Sequence, residues 1–329
     1  MNYKEKLKNP KSFLSLTGLY PEEFKALLEF FELEWIKFYK YYTLERKKRK
    51  HRNPKPYKDT KTLATIGDKL FFILVYLKTA PLQEFQAACF DMSQAKVSSW
   101  VKILLPLLVA SLKAIEVLPA RTLTDLQKLI DKNQTKVFNL DATERLIERD
   151  TDYENQKEQY SGKKGDHTIK NNVVCDDNQT ILFLGDTYTG PTQDKKMADK
   201  DQLSFPKNAI VRLDLGYLGL FPSDAEQRDF TLVIPFKKPK GGSLSKAQKA
   251  YNKVVSQARV VVEHAIGGCK RLRIVKDRLR HIRRSFHDCL LLVAVGLHNF
   301  RVLSPFRNYA KDKPLSKFAQ ARANIIFNS

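Results

Sequence analysis

Apolar side chains recur at helical spacing through the first third of the chain. Pro21, Glu22 and Glu23, followed by Phe24, Leu27, Leu28 and Phe31, predict an amphipathic helix with proline and acids suited to its first turn. It is expected to pack against the next helical unit. From Leu63 to Leu108 the pattern predicts three helices. The first runs from Leu70 to Leu77, a short one lies around Gln83 to Phe90 after a break at Thr79-Ala80-Pro81, and the third begins near Gln94. Ser93 can cap the third, because its hydroxyl accepts an otherwise free backbone N–H. Val97, Val101, Leu104 and Leu105 supply a buried stripe and leave Gln94, Lys96, Ser98, Ser99 and Lys102 to solvent. Short helix, tight turn and polar-faced helix is the order of a helix-turn-helix reader of DNA, with an ordinary helical bundle as the alternative.

Beyond this region the pattern becomes that of strands. KVFNLDATERLIE surrounds Asp141 with apolar residues, VVCDDNQTILFLGDTYTG resembles two strands joined at Asp176-Asp177-Asn178, and NAIVRLDLGYLGL and FTLVIPF each predict one more. Helical spacing returns near Lys246, and FHDCLLLVAVGLHNFRVL predicts an apolar helix with His287 and His298 as polar or capping residues near the core. Strands followed by helices on this scale describe a mixed α/β catalytic domain. The expected organisation is an N-terminal helical region and basic linker (1–58), a helix-turn-helix domain (59–120), a catalytic domain (121–310) and a C-terminal tail (311–329).

Charge narrows the partners. The 329 residues carry 58 Lys and Arg against 36 Asp and Glu, a formal net charge of +22, so an extended polyanion is expected and nucleic acid leads. An anionic membrane is the competing partner; against it, no run of about 18 apolar residues suggests a bilayer span, and MNYKEKLKNP lacks the apolar core of a secretory signal. The expected location is the cytoplasm, on the nucleoid of a bacterial host. Cys89, Cys175, Cys269 and Cys289 include no CxxC pair, and although Cys269 lies near His264, His281 and His287 in sequence, reduced and partly buried thiols are the plainer reading. Residues 46–52, RKKRKHR, carry six Lys and Arg, and Pro54 and Pro56 then interrupt any regular element. They are read as a basic linker or arm that can lie along phosphates, or as a solvated charge run.

Three acids stand out. Asp141 and Asp214 each interrupt an apolar, strand-like run, where an uncompensated carboxylate is costly, and Glu263 lies in the helical ARVVVEHAIG. Carboxylates are the hard oxygen ligands that magnesium takes, and a pair of divalent cations can serve the attacking and leaving oxygens of a phosphoryl transfer together. Asp186 in LFLGDTY is a rival by the same test, whereas Asp176 and Asp177 fit a turn. Each acid could also be ordinary surface charge or half of an ion pair.

At these residues the chain resembles the IS5-family insertion-sequence transposases, in the branch related to Harbinger-type DDE endonucleases. FNLDATERLIERD resembles the setting of the family's first acid, VRLDLGYLG its second-acid motif of Asp, a small residue, Gly-Tyr and Gly, and ARVVVEHAIGGCKRLRI the setting of its last. Asp214 follows Asp141 by 73 residues (214 − 141) and Glu263 follows Asp214 by 49 (263 − 214). The resemblance implies an α/β, RNase H-like core, with a mixed central sheet and flanking helices, preceded by an all-helical helix-turn-helix domain. It implies Asp141, Asp214 and Glu263 as catalytic metal ligands for Mg²⁺ or Mn²⁺, two ions per site. It also implies double-stranded DNA as partner, both transposon terminal inverted repeats and target DNA, handled by a homodimer or higher homo-oligomer. The family's Tyr-Arg-Glu-Lys signature matches Arg259, Glu263 and Lys270, with Ser256 at the tyrosine position. The family often has a His-Asp pair after TYTG, where this chain has Gln193 and Asp194.

Other cations are expected to touch DNA. Gln94, Lys96, Ser99 and Lys102 are the candidates on the recognition helix. Arg259 and Lys270 could meet substrate phosphate, with a local ion pair to Glu263 as the alternative. KRLRIVKDRLRHIRR, including Arg271 and Arg273, has eight Lys and Arg to one acid and should neutralise backbone. Lys163 and Lys164 beside Gly162 offer another phosphate contact without Walker spacing, so no ATP requirement follows. His264 is read as a packing or DNA-contacting residue, and His167, which follows a basic turn without a paired nucleophile or fixed orienting acid, stays outside the proposed core site. A stand-alone nuclease and a domesticated, non-catalytic DNA-binding protein are the alternative functions.

Overall fold

The computed structural model describes residues 1–53, 62–221, 229–280, 284–307 and 317–327. Pro54, Pro56 and His281 lie outside them. The helices are α1 Tyr3–Leu7, α2 Pro10–Thr17, α3 Pro21–Tyr41, α4 Ile66–Thr79, α5 Gln83–Cys89, α6 Gln94–Ala114, α7 Leu123–Asn133, α8 Tyr153–Gln159, α9 Asp194–Lys200, α10 Lys246–Cys269, α11 Arg273–Lys276, α12 Arg284–Leu303 and α13 Lys317–Phe327. The strands are β1 Val137–Leu146, β2 Tyr160–Ser161, β3 Asp166–Cys175, β4 Ile181–Leu184, β5 Tyr188–Thr189, β6 Ile210–Arg212 and β7 Thr231–Val233.

The three predicted helices of the helix-turn-helix are present as α4, α5 and α6. The first starts earlier than its apolar stripe because Thr65 and Asp68 form a capping box, each side chain accepting from the other's backbone N–H at 3.1 Å. Ser93 caps α6 by accepting from Lys96 N. Val97, Val101, Leu104 and Leu105 are buried, while Gln94, Lys96, Ser99 and Lys102 are exposed. The Lys69 ammonium, buried on α4, donates to the Leu63 and Thr65 carbonyls and lies 4.9 Å from the Trp35 ring and 5.6 Å from that of Trp100.

Strand order is β2-β3-β1-β6-β7, with β4 and β5 also pairing with β3. β1 runs antiparallel to β3 and parallel to β6, and β6 runs parallel to β7. This mixed sheet with flanking helices, preceded by the helical region, has the organisation of an RNase H-like core. On one face Phe138, Leu140, Val174 and Val211 pack with Leu126 and Ile130 of α7. On the other, Ile169, Val173 and Cys175 join a core that continues through α12 to α4 and α6. The side-chain alternation of β1 therefore sends Leu140 and Asp141 to opposite faces.

α6 and residues 285–303 are long and apolar enough to cross a membrane, a correction to the expectation that no such run exists. The physical reason is their place in the core. The second is enclosed on most sides and needs no broad polar face, with Leu290, Val293, Leu297 and Phe300 buried, while α6 buries Leu104 and Leu108 and keeps its polar face outward. Gly268 on α10 is likewise dictated by packing, since a Cβ there would stand 2.2 Å from His298 Nδ1. His298 is buried and held neutral, its pKa pushed down to about 3 by burial first and then by Arg301.

The basic segment after α3 folds back on that helix. Arg46 turns it at φ 63°, Arg49 N donates to Tyr41 O at 2.8 Å, and the Arg49 guanidinium sits 5.0 Å from the Tyr39 ring, leaving Arg46, Lys47, Lys48, Lys50 and Arg52 exposed.

The turn between β3 and β4 carries a pH-sensitive group. Asp176 Oδ1 accepts from Asn178 N at 2.9 Å and Thr180 N at 2.8 Å, confirming the turn reading, and burial raises its pKa to about 7 against the opposing effect of those donors. A carboxyl whose folded pKa is raised favours the fold below its unfolded pKa of about 4 and loses that contribution as pH rises to about 7. Asp176→Asn keeps the acceptor without the charge. It should leave stability at pH 4 little changed and raise it at pH 8 by ~4 kcal/mol, three pKa units at about 1.4 kcal/mol each, or roughly 8 °C in Tm, as checked by melting curves across that range.

Candidate active site

The acids are placed by strand register. β1 and β6 pair through Asn139↔Arg212, a constant offset of 73 (212 − 139) that also separates Asp141 from Asp214. Both acids thus lie two residues beyond the last paired position, Asp141 midway along β1 and Asp214 just past the end of the neighbouring parallel β6, toward the same face. Asp141 accepts from Ala142 N at 2.8 Å, and Asp214 accepts from Leu215 N at 2.7 Å as it opens a 3-10 turn.

Arg259, buried on α10, joins them. One guanidinium nitrogen stands 3.6 Å from Asp141 Oδ2 and the other 3.3 Å from Asp214 Oδ1. Burial raises the pKa of Asp141 most, and the Asp214 and Asp194 charges raise it further. The Ala142 N–H and Arg259 pull it down. Asp194 lies in the polar TQDKK and interrupts no apolar strand, yet it approaches this site. Its Oδ2 lies 2.8 Å from where a Cβ on Gly216 would stand, and Oδ1 lies 3.4 Å from Lys170 Nζ. The glycine of DLGY is therefore a close-approach residue. The tyrosine is a brace: Tyr217 is buried and donates to Asn172 Oδ1 at 2.9 Å, while Asn172 donates to Asp201 Oδ2 at 2.7 Å. Burial keeps the Tyr217 phenol protonated, with Asp141 and Asp194 adding to the effect.

Glu263 projects as an exposed side chain one helical turn after Arg259. Among the described residues, no group of three His, Cys, Asp or Glu side chains stands close enough to hold a metal ion together. The Asp141–Asp214 pair nevertheless suits a divalent cation: these are hard oxygens on adjacent strands, sharing one guanidinium, with Asp141 destabilised as an anion. The rival Asp186 is instead in a solvent-exposed ion pair with Arg121 at 3.3 Å. The inward stripe Val255, Arg259, Val262 was readable from helical spacing, and it is why Arg259 meets strand-borne acids rather than Glu263.

Lys270 Nζ donates to Glu144 O at 3.3 Å, and its pKa is lowered by burial and then by Lys164 and Arg145. Lys163 and Lys164 are exposed in the turn between β2 and β3, which Gly165 closes at φ 63°. Arg271 and Arg273 are exposed, and Arg273 pairs with Asp277 at 2.8 Å. Gln94 donates to Gln83 and Ser99 to Ala95 O. His264 is exposed, and His167 packs edge-on to Tyr160 with ring centroids 5.6 Å apart.

The chain resembles known proteins. Residues 61–114 match the helix-turn-helix of DDE superfamily endonuclease, and residues 140–299 match the DDE superfamily endonuclease itself. A probable transposase for insertion sequence element IS702 from Microchaete diplosiphon is 30% identical over 170 residues, 52% of this chain; the match spans 59% of that relative's length. A piggyBac transposase in a synaptic complex with hairpin DNA, solved by cryo-EM, aligns with 96% of this chain and 79% of its own at 11% identity and a TM-score of 0.42. With a reader module followed by an acid-bearing sheet, both matched in chain order, this chain belongs to the DDE superfamily endonucleases, related to the IS5 and Harbinger-type transposases.

Proposed function

We propose that the chain is a DNA transposase that cleaves the ends of an insertion element and transfers the freed 3′-hydroxyl to target DNA. The observation that carries this reading is the pair Asp141 and Asp214, on neighbouring parallel strands under one helix-borne arginine, in a chain of charge +22. Mg²⁺ or Mn²⁺, held by Asp141 and Asp214 with Glu263, would supply charge stabilisation at the attacking and leaving oxygens. Arg259 balances the two carboxylates, and Tyr217 fixes the loop that carries Asp214. Because a transposon has two ends, a homodimer or larger assembly is the proposed working form.

Purified protein incubated with its element ends, a target duplex and Mg²⁺, followed by mapping of products, tests the reading. Cleaved ends joined to target support it. Cleavage without joining under conditions that permit assembly gives the stand-alone nuclease instead.

Recognition has its own test. Replacing Gln94 and Ser99 with alanine should reduce preference for element ends over unrelated DNA by about 1–3 kcal/mol per lost base contact, with binding to unrelated duplex little changed. Competition binding measures it, and undiminished preference would remove α6 as the reading helix.

A further inference from the structure

The geometry points to a second DNA surface, formed by the loop after β7 and the first half of α10, that grips phosphates beside the acids. This rests on the proposed DNA-processing function and adds a location for the DNA strand. From residue 230 to residue 262 the chain contains no Asp or Glu, while Lys237, Lys238, Lys240, Lys246, Lys249 and Lys253 fall within it. All six lysines are exposed.

Two features make one surface of them. Asn252 donates to Phe236 O at 3.0 Å and accepts from Phe236 N at 2.8 Å, so one side chain clasps the loop's backbone to the helix from both sides. The Phe236 and Tyr251 rings pack edge to face with centroids 5.1 Å apart, adding an apolar seam to the clasp. The loop itself is turned by Gly242 N donating to Pro239 O, and Ser245 with Gln248 forms a capping box that starts the helix. Lys237, Lys238 and Lys240 are thereby held next to Lys246, Lys249 and Lys253 rather than on a free tether.

Placement decides the partner. β7 lies parallel to β6 with Val233 opposite Arg212, so the loop leaves the sheet at the end of β6 where Asp214 stands, beside the strand that carries Asp141. Lys246, Lys249 and Lys253 recur at intervals of three and four residues along one helical stripe, and α10 then carries Arg259 to the acids. From Lys246 to Lys253 the exposed stripe rises about 10 Å, roughly three base pairs of duplex, and the buried Arg259 lies about 9 Å farther along the helix. A row of cations of that length, on the helix that leads to Arg259 and the carboxylates, fits the backbone flanking a scissile phosphate. An anionic membrane is the other polyanion that a lysine stripe beside exposed Tyr251 and Val254 could meet.

The test uses the full chain with Lys246, Lys249 and Lys253 all changed to glutamine, and a second variant with Lys237, Lys238 and Lys240 so changed. Both are compared with the parent by melting and by titration with element-end duplex at several salt concentrations. Each triple change should weaken binding about tenfold to a hundredfold near physiological salt and flatten the slope of log K against log salt by about 3. Hydroxyl-radical protection should be lost at phosphates flanking the cut and kept where α6 reads. Folded variants with the parent's slope and footprint would overturn this surface alone. A parent that binds no DNA would overturn it together with the proposed function. Loss of binding only to phosphatidylglycerol vesicles, with DNA binding intact, would reassign the surface to membrane.

Discussion

Asp141→Asn, and separately Glu263→Gln, should eliminate most cleavage and joining while leaving DNA binding in place. Each keeps the size of the side chain and removes one anionic oxygen needed to hold a hard cation. Several kcal/mol of transition-state stabilisation disappear, and at about 1.4 kcal/mol per factor of ten the rate should fall roughly a hundredfold to ten-thousandfold. Binding should persist or strengthen, because each change removes a negative charge from a chain of net charge +22. In Asp141→Asn, moreover, Arg259 keeps Asp214 as a partner. The measurement pairs a binding titration with product mapping on labelled ends in Mg²⁺, using protein shown to be folded. Normal cleavage by both variants would reject the site; normal cleavage by Glu263→Gln alone would remove only the helix-borne acid.

The largest loss of stability is expected far from the acids, at Glu23→Ala. Glu23 is fully buried in the first turn of α3, where its carboxylate receives Arg307 Nε and Nη2, both at 2.6 Å, and Tyr20 N at 2.8 Å. Arg307 also donates to Gly18 O and lies 4.7 Å from the Tyr20 ring. Removing the carboxylate leaves a guanidinium enclosed without its counter-charge, which costs about 3–5 kcal/mol. The Tm should drop by roughly 6–10 °C. Alanine at the neighbouring, exposed Glu22 is the control and should move it little. A Glu23→Ala melt within a degree of the parent would show that water reaches Arg307 and relieves it.

Much of this architecture was legible because its signals are local. The polar face of α6, the Ser93 cap and the start of α10 at Lys246 depend on residues within one or two turns. Asp141 and Asp214 were conspicuous because each breaks an apolar strand. What sequence could not supply were contacts between distant segments. Arg259 meets two acids 118 and 45 residues earlier (259 − 141, 259 − 214), and Asp194 reaches the site through the missing Cβ of Gly216. The docking of the 46–52 segment on Tyr39 is equally tertiary. The hydropathy of α6 and α12 misleads for the same reason: only the fold shows what encloses them. For Glu263 the pattern gave the correct helix, and the structure adds an exposed carboxylate beside Arg259 rather than a closed three-acid cluster.

The parallel pairing of β1 with β6 bears on where this chain can tolerate change in length. A residue inserted between Asn139 and Asp141, or between Arg212 and Asp214, turns that acid to the opposite side of the sheet while every loop stays intact. A longer segment inserted in the Gly162–Gly165 turn, which is exposed and closed by its own backbone hydrogen bonds, leaves the register untouched. Relatives of very different total length can therefore present the same pair of carboxylates, provided the short stretch of strand ahead of each keeps its count.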